Sequence, residues 1–194
     1  MGATGLVTDS AKNDAANNYA TVGPYLTLFR ALQLASNVAI GGTSFVVDLS
    51  IQVGDIVVFD QSLSTQEQVA VLAVSGSGPY TCTSFQTTTG STTFQKAHVT
   101  TGPNLGLQSH LPLNATTAHE VASITRVAAN WGSPSPAGVI TSSSGVLTVP
   151  GQTIGSIAVY TASTAGTYKD STAIPGQAYT IAGTYQPVWV ETFS

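Results

Sequence analysis

Residues 125–194 read TRVAANWGSPSPAGVITSSSGVLTVPGQTIGSIAVYTASTAGTYKDSTAIPGQAYTIAGTYQPVWVETFS. Short alternating or β-branched runs are separated, every eight to twelve residues or so, by Gly, Pro and Ser clusters, the spacing of an antiparallel sandwich or barrel. The runs are Val146 to Val149, Ile154 to Thr161, Ala178 to Ala182 and Val188 to Phe193, punctuated by Pro150, Gly151, Pro175, Gly176, Gly183 and Pro187. Along the second run, Ile154, Ser156, Ala158 and Tyr160 point to one face and Gly155, Ile157 and Val159 to the other. Neither face is strongly polar, so both are expected to be covered, one by a second sheet and the other by a neighbouring subunit.

The rest of the composition agrees with a β protein that is covered rather than charged. The 194 residues suffice for one domain or two small ones. Only 7% of them are charged, against roughly 25% in an average globular protein. A surface of Ser, Thr, Asn and Gln suits a protein buried in an assembly or working outside the cell. Five basic residues scattered singly in a chain of net charge −4 exclude a nucleic-acid stripe. The single cysteine, Cys82, rules out an intrachain disulfide framework and reads as a small apolar filler. No apolar run approaches the roughly 20 residues that span a bilayer, and no basic start with an apolar core marks secretion. Synthesis in a cytoplasm, without membrane insertion, is the expectation.

In chain order, Thr8 to Tyr19 predicts a helix with Thr8 as N-cap, Asp9 in the first turn, and Ala11, Ala15, Ala16 and Tyr19 on the packed side. Gly23 and Pro24 end it, and Tyr25 to Phe29 alternates as a strand. From Val38 to Pro103 a small β unit follows, with strands Ser44 to Leu49, Ile56 to Phe59, Glu67 to Val74 and Tyr80 to Phe85. Its residues Val53, Gly54, Asp55, Asp60, Glu67, Val74, Ser75, Gly76, Lys96, Ala97 and His98 come in an order that resembles a short β-barrel module recurring in phage structural and bacterial surface proteins. That likeness implies a building block and no reaction.

A second likeness spans the remainder. Thr8, Asp9, Ala11, Lys12 and Asn13, then Ser109, His110, Pro112, Thr116, Thr117, Glu120, Val121, Arg126, Ala128 and Trp131, then Val149, Pro150, Gly151, Thr153 and Ile154 form one ordered series. The series resembles small tail-fibre or minor tail proteins of phages that infect actinobacteria. There the helix and the His-bearing strand lie close in sequence, whereas here residues 38–103 intervene. The likeness implies a discontinuous host domain, residues 1–37 with 104–194, carrying an inserted barrel of residues 38–103 in a surface loop.

Chemistry-bearing residues are sparse. His98, His110 and His119, with eleven and eight residues between them, lack the short spacing of metal ligands. Asp55, Asp60 and Glu67 read as turn and solvent-facing acids, the alternative being a cation site at one end of the barrel. No G-x-S-x-G elbow, G-x-x-x-x-G-K loop or particular carboxylate pair occurs. Trp131, sharing a strand face with Val127 and Ala129, and Trp189 read as core anchors, with stacking on a host sugar as the alternative. Arg126 falls with Ala128 and Asn130 on the opposite face and pairs with Glu120, locally or between subunits. With Tyr160 on the two-sided strand, these five are the structural or interface candidates; no catalytic, cofactor or metal residue is assigned.

The reading is therefore a mainly β chain: a C-terminal antiparallel, jelly-roll-like β-sandwich, a short N-terminal helix and an inserted small barrel. The expected function is a non-enzymatic virion protein, a tail-fibre or minor tail component or a head-decoration protein. Its partners are other virion proteins and further copies of itself, a trimer being favoured. A carbohydrate-binding module contacting host surface glycan is the alternative.

Overall fold

In the computed structural model, residues 8–101, 105–115, 119–149, 151, 153–178 and 183–193 are described. Residues 179–182 of the third expected run, with Pro150, Thr116 and Thr117, lie outside them. In chain order the elements are α1 (Asp9–Val22), β1 (Tyr25–Arg30), β2 (Leu32–Gln33), β3 (Phe45–Val47), β4 (Ile56–Phe59), β5 (Glu67–Ser75), β6 (Tyr80–Thr87), β7 (Leu107–Leu111), β8 (Val127–Trp131), β9 (Val139–Ser144), β10 (Leu147–Val149), β11 (Thr153–Tyr160), β12 (Tyr168–Ala178), β13 (Gly183–Tyr185) and β14 (Val190–Thr192). The protein is mainly β, and its paired strands run antiparallel.

Thr8 caps α1, its Oγ1 accepting the Ala11 N–H at 3.3 Å, with Asp9 in the first turn. The packed stripe is rotated from the expected one. Ala16 is buried and Asn13 and Tyr19 flank it, whereas Ala11 and Ala15 are exposed. Asn13 Oδ1 accepts the Gly138 N–H at 2.9 Å, and the Tyr19 ring meets Trp131 and Phe193 edge-on at 5.6 and 5.7 Å. A hydrogen bond and an aromatic contact set the docking angle; the alanines contribute too little area to do so.

The first sheet has the order β12-β11-β1-β8-β9-β14, so β1 from the N-terminal segment sits among C-terminal strands. Leu26, Leu28, Ala129, Ile157 and Val159 from this sheet, with Trp189 just before β14, share a core with Leu147 and Val149 of the two-stranded β10-β13 ribbon. Pro175 and Gly176, expected to separate strands, lie inside β12. Pairing shifts from Ile154↔Gln177 to Ser156↔Ala173 around them. β12 ends the sheet order, and a bulge on an edge strand is where a proline without an N–H is tolerated.

The other six-stranded sheet, β2-β7-β4-β5-β6-β3, is the small barrel. Its ends meet through a Leu34↔Val47 bridge and an Ala35 N–H to Val46 carbonyl bond of 2.9 Å, which nearly closes it. Phe45, Phe59, Phe85 and Phe94 fill the interior with ring centroids 4.5 to 6.0 Å apart, beside Val57, Val69, Val71 and Cys82. Two of the six strands, β2 and β7, lie outside residues 38–103, so a division at 37/38 and 103/104 cuts through this sheet. A barrel of β3 to β6 alone would leave the Val57 and Phe59 strand without its partner β7.

β11 is buried on both faces, as its pattern requires. The second face meets strand β7 of the same chain, however, and not a neighbouring subunit. Ser156 Oγ donates to the His110 carbonyl and Ser109 Oγ to the Ile174 carbonyl, each at 2.8 Å. Gly155 permits this approach: a Cβ there would lie 2.9 Å from Ala31 Cα and 3.2 Å from the Gln108 carbonyl oxygen.

Candidate functional site

The ordered residues of the small unit converge on one buried imidazole. Extended segments pair through Val38↔His98, with bonds of 2.8 and 2.9 Å in the two directions, and bring His98 into the barrel between the Phe59 and Phe94 rings. Asp60 follows β4 and Glu67 opens β5. His98 Nδ1 lies 2.8 Å from Asp60 Oδ2 and Nε2 lies 3.2 Å from Glu67 Oε2. Thr65 Oγ1 also donates to Asp60 Oδ2, while the Gln95 and Lys96 N–H groups donate to Glu67 at 3.0 and 3.2 Å. Both carboxylates thus accept from other donors, and each faces one nitrogen of the ring between them. Lys96 Nζ donates to the Ser64 and Gln66 carbonyls at 3.0 and 2.8 Å, adding positive charge beside the pair of acids.

Asp60 and Glu67 are therefore not solvent-facing acids: they are 6% and 9% exposed. Burial is tolerated because each charge is paired and hydrogen-bonded. Asp55 departs from the expectation in the same way, being wholly buried. Its turn depends on Gly54 at φ +93°, a left-handed conformation suited to glycine. His110 Nε2 is 2.7 Å from Asp55 Oδ2, and the N–H groups of Leu113 and Gln52 donate to the carboxylate at 2.8 and 3.0 Å. Burial pushes this carboxyl's pKa up, but the His110 bond and charge and the two backbone donors outweigh it and hold the value below normal.

Of the three histidines, His110 and His119 come together, their rings 5.0 Å apart, while His98 stands inside the barrel. His119 Nε2 faces the Ser50 carbonyl at 3.3 Å. Among the described residues no group of three His, Cys, Asp or Glu side chains is arranged to hold a metal.

Glu120, Arg126 and Tyr160 meet on the other side of the seam. Arg126 Nε and one terminal nitrogen donate to the two Glu120 oxygens at 2.8 and 3.1 Å, and the other terminal nitrogen donates to the Ala162 carbonyl at 3.0 Å. The guanidinium lies 3.5 Å over the Tyr160 ring. Burial, reinforced by Glu120, pushes the Tyr160 hydroxyl far above its ordinary pKa. The pair is local to one chain. Arg126 precedes β8 and is buried, unlike Ala128 and Asn130, with which it was expected to share a strand face.

Trp189 is a core anchor, its indole N–H donating to Glu191 Oε2 at 2.9 Å. Trp131 lies half-buried at the rim of the same core, held by the Gly23 carbonyl at 2.9 Å. Every aromatic side chain among the described residues is buried or half-buried. Exposed apolar groups include Val188 and Val190 at 61% and 58%. On the open half of the first sheet, Ala128, Asn130, Thr141, Ser143 and Val190 are exposed, with the pairs Asn130↔Ser143 and Val190↔Thr141 fixing one common uncharged face.

The buried charge centres escaped the sequence reading because acids near turns ordinarily face water. The available signal was the order of Asp60, Glu67 and His98 in a chain of which only 7% of the residues are charged. Compared with protein-family models, curated proteins and solved structures, the chain matches none.

Proposed function

We propose that this chain is a non-enzymatic virion structural protein, a tail-fibre or minor tail component or a head-decoration protein, that assembles with copies of itself through its β-domains, a trimer being favoured. The observation that carries the reading is the contrast between interior and surface. Four of the nine acids, Asp55, Asp60, Glu67 and Glu120, are withdrawn from solvent against His110, His98 and Arg126, whereas the open half of the first sheet presents an uncharged face of Ala, Asn, Thr, Ser and Val. A face without charge can be covered by another copy of the chain without burying an unpaired charge, which suits it to assembly.

A glycoside-cleaving reading lacks its required feature in the recesses seen among the described residues. Glycoside cleavage needs two carboxylates facing one cleft, and each of the five surface depressions is lined by at most one. A carbohydrate-binding platform needs exposed aromatics; the half-exposed Tyr168 at a surface recess is the nearest approach. Quantitative mass spectrometry of purified particles of the source phage tests the proposal. A copy number near that of the capsid subunit assigns the chain to the head, and a low one to the tail or a fibre. Its absence from particles overturns the proposal.

A further inference from the structure

Where the barrel meets the first sheet, two open depressions of about 300 and 310 Å³ lie side by side and share Leu113, Tyr168 and Lys169. The walls are built. The Leu113 N–H is held by Asp55 Oδ1 at 2.8 Å, and its side chain lies over Gly54, where a Cβ would come within 2.6 Å of Leu113 Cδ2. The side chain is nonetheless 58% exposed. Tyr168 is backed by the Phe29 and Tyr160 rings at 5.9 and 5.8 Å, and its hydroxyl is hydrogen-bonded to Ser171 Oγ at 2.8 Å. Burial, with the charges of Asp170 and Asp55, pushes this phenol's pKa up to about 12, against the opposing Ser171 bond, so it stays neutral.

Three exposed polar groups stand beside Leu113 and Tyr168 in this recess. The Asn114 amide, the Thr167 hydroxyl and the Lys169 ammonium are exposed and make no side-chain hydrogen bond among the described residues. We infer that the recess binds one ring of a neutral glycan, its C–H face on Leu113 and Tyr168 and its hydroxyls on Asn114, Thr167 and Lys169. Ligand sites favour such junctions between structural units, where an apolar wall supplies contact and a few polar groups fix orientation. An anionic sugar is disfavoured, because the single Lys169 charge is opposed by the nearby carboxylates of Asp170 and Asp55. This goes beyond the assembly role and does not depend on it.

The test is an amide-shift titration of the full chain with neutral gluco-, galacto- and manno-oligosaccharides, with trigalacturonate as the anionic comparison. At least one neutral sugar is expected to shift the amides of Leu113, Asn114, Lys169 and Ser171 with a Kd of order 1 mM. The Asn114→Ala, Lys169→Ala double variant, altered only at exposed side chains, is expected to weaken that binding at least about fivefold with an unchanged melting temperature. No localised shift with any neutral sugar, a stronger response to trigalacturonate, or undiminished binding by the double variant would overturn the inference.

Discussion

At the scale of single residues, this protein uses its scarce charges as internal fasteners. His98 bridges Asp60 and Glu67 at 2.8 and 3.2 Å in a cage of phenylalanines. Removing the ring takes a partner from two buried carboxylates and opens a cavity among the phenylalanines, so His98→Ala is expected to cost about 3–5 kcal/mol in chemical denaturation. Asp55 carries a pH signature. Its folded pKa lies below the ordinary 3.8, so its stabilisation is complete above that value and is lost as pH falls through the folded one. Asp55→Asn should be less stable at pH 7, and melting curves from pH 2 to 6 should show a shallower acid decline than in the parent. Asp170 has the opposite sign: burial first, then Glu191, raise its pKa against the Ser171 N–H bond. Its ionised form opposes folding, and that penalty is absent below the unfolded pKa and grows as pH rises through the folded one. Asp170→Asn, which keeps an acceptor for Ser171, should raise the melting temperature at pH 7, with the gain vanishing toward pH 3.

At the scale of elements, period and punctuation made most strands legible. β4 has the expected limits and β5 exceeds its expectation by one residue, because Ile56 to Phe59 and Val69 to Val74 are continuous Val-rich apolar runs and the flanking turns are rich in Gly, Ser and Asp. Features set by long-range pairing were not legible. Pro175 and Gly176 look like a strand break but form a bulge within edge strand β12, a distinction set by pairing rather than local preference. The two-residue β2 carries too little pattern to be seen, and the use of β7 by the barrel is a long-range choice. Convergence of Asp60 and Glu67 on His98 was hidden for the same reason: it depends on three segments meeting. At Gly155 the backbone of β11 closely approaches Ala31 and Gln108, so Gly155→Val should force backbone movement at both. A loss of about 1–3 kcal/mol is expected, with amide-shift changes on both sides of the seam.

At the scale of the whole molecule, β7 pairs with β4 in the barrel while its Ser109 and His110 bond to β12 and β11. The two halves should therefore unfold together, giving one calorimetric transition with matching calorimetric and van't Hoff enthalpies; two separated transitions would contradict this coupling. The uncharged open face leads outward to assembly. Its most apolar member, Val190, is 58% exposed and lies on β14, at the end of the sheet order. Sedimentation equilibrium of the native chain beside Val190→Lys tests the central claim most directly. The account predicts a native oligomer, a trimer, that the lysine variant disperses without lowering the melting temperature of the dispersed subunit by more than about 0.5 kcal/mol equivalent. A native chain that remains a soluble, stable monomer at high concentration would contradict it.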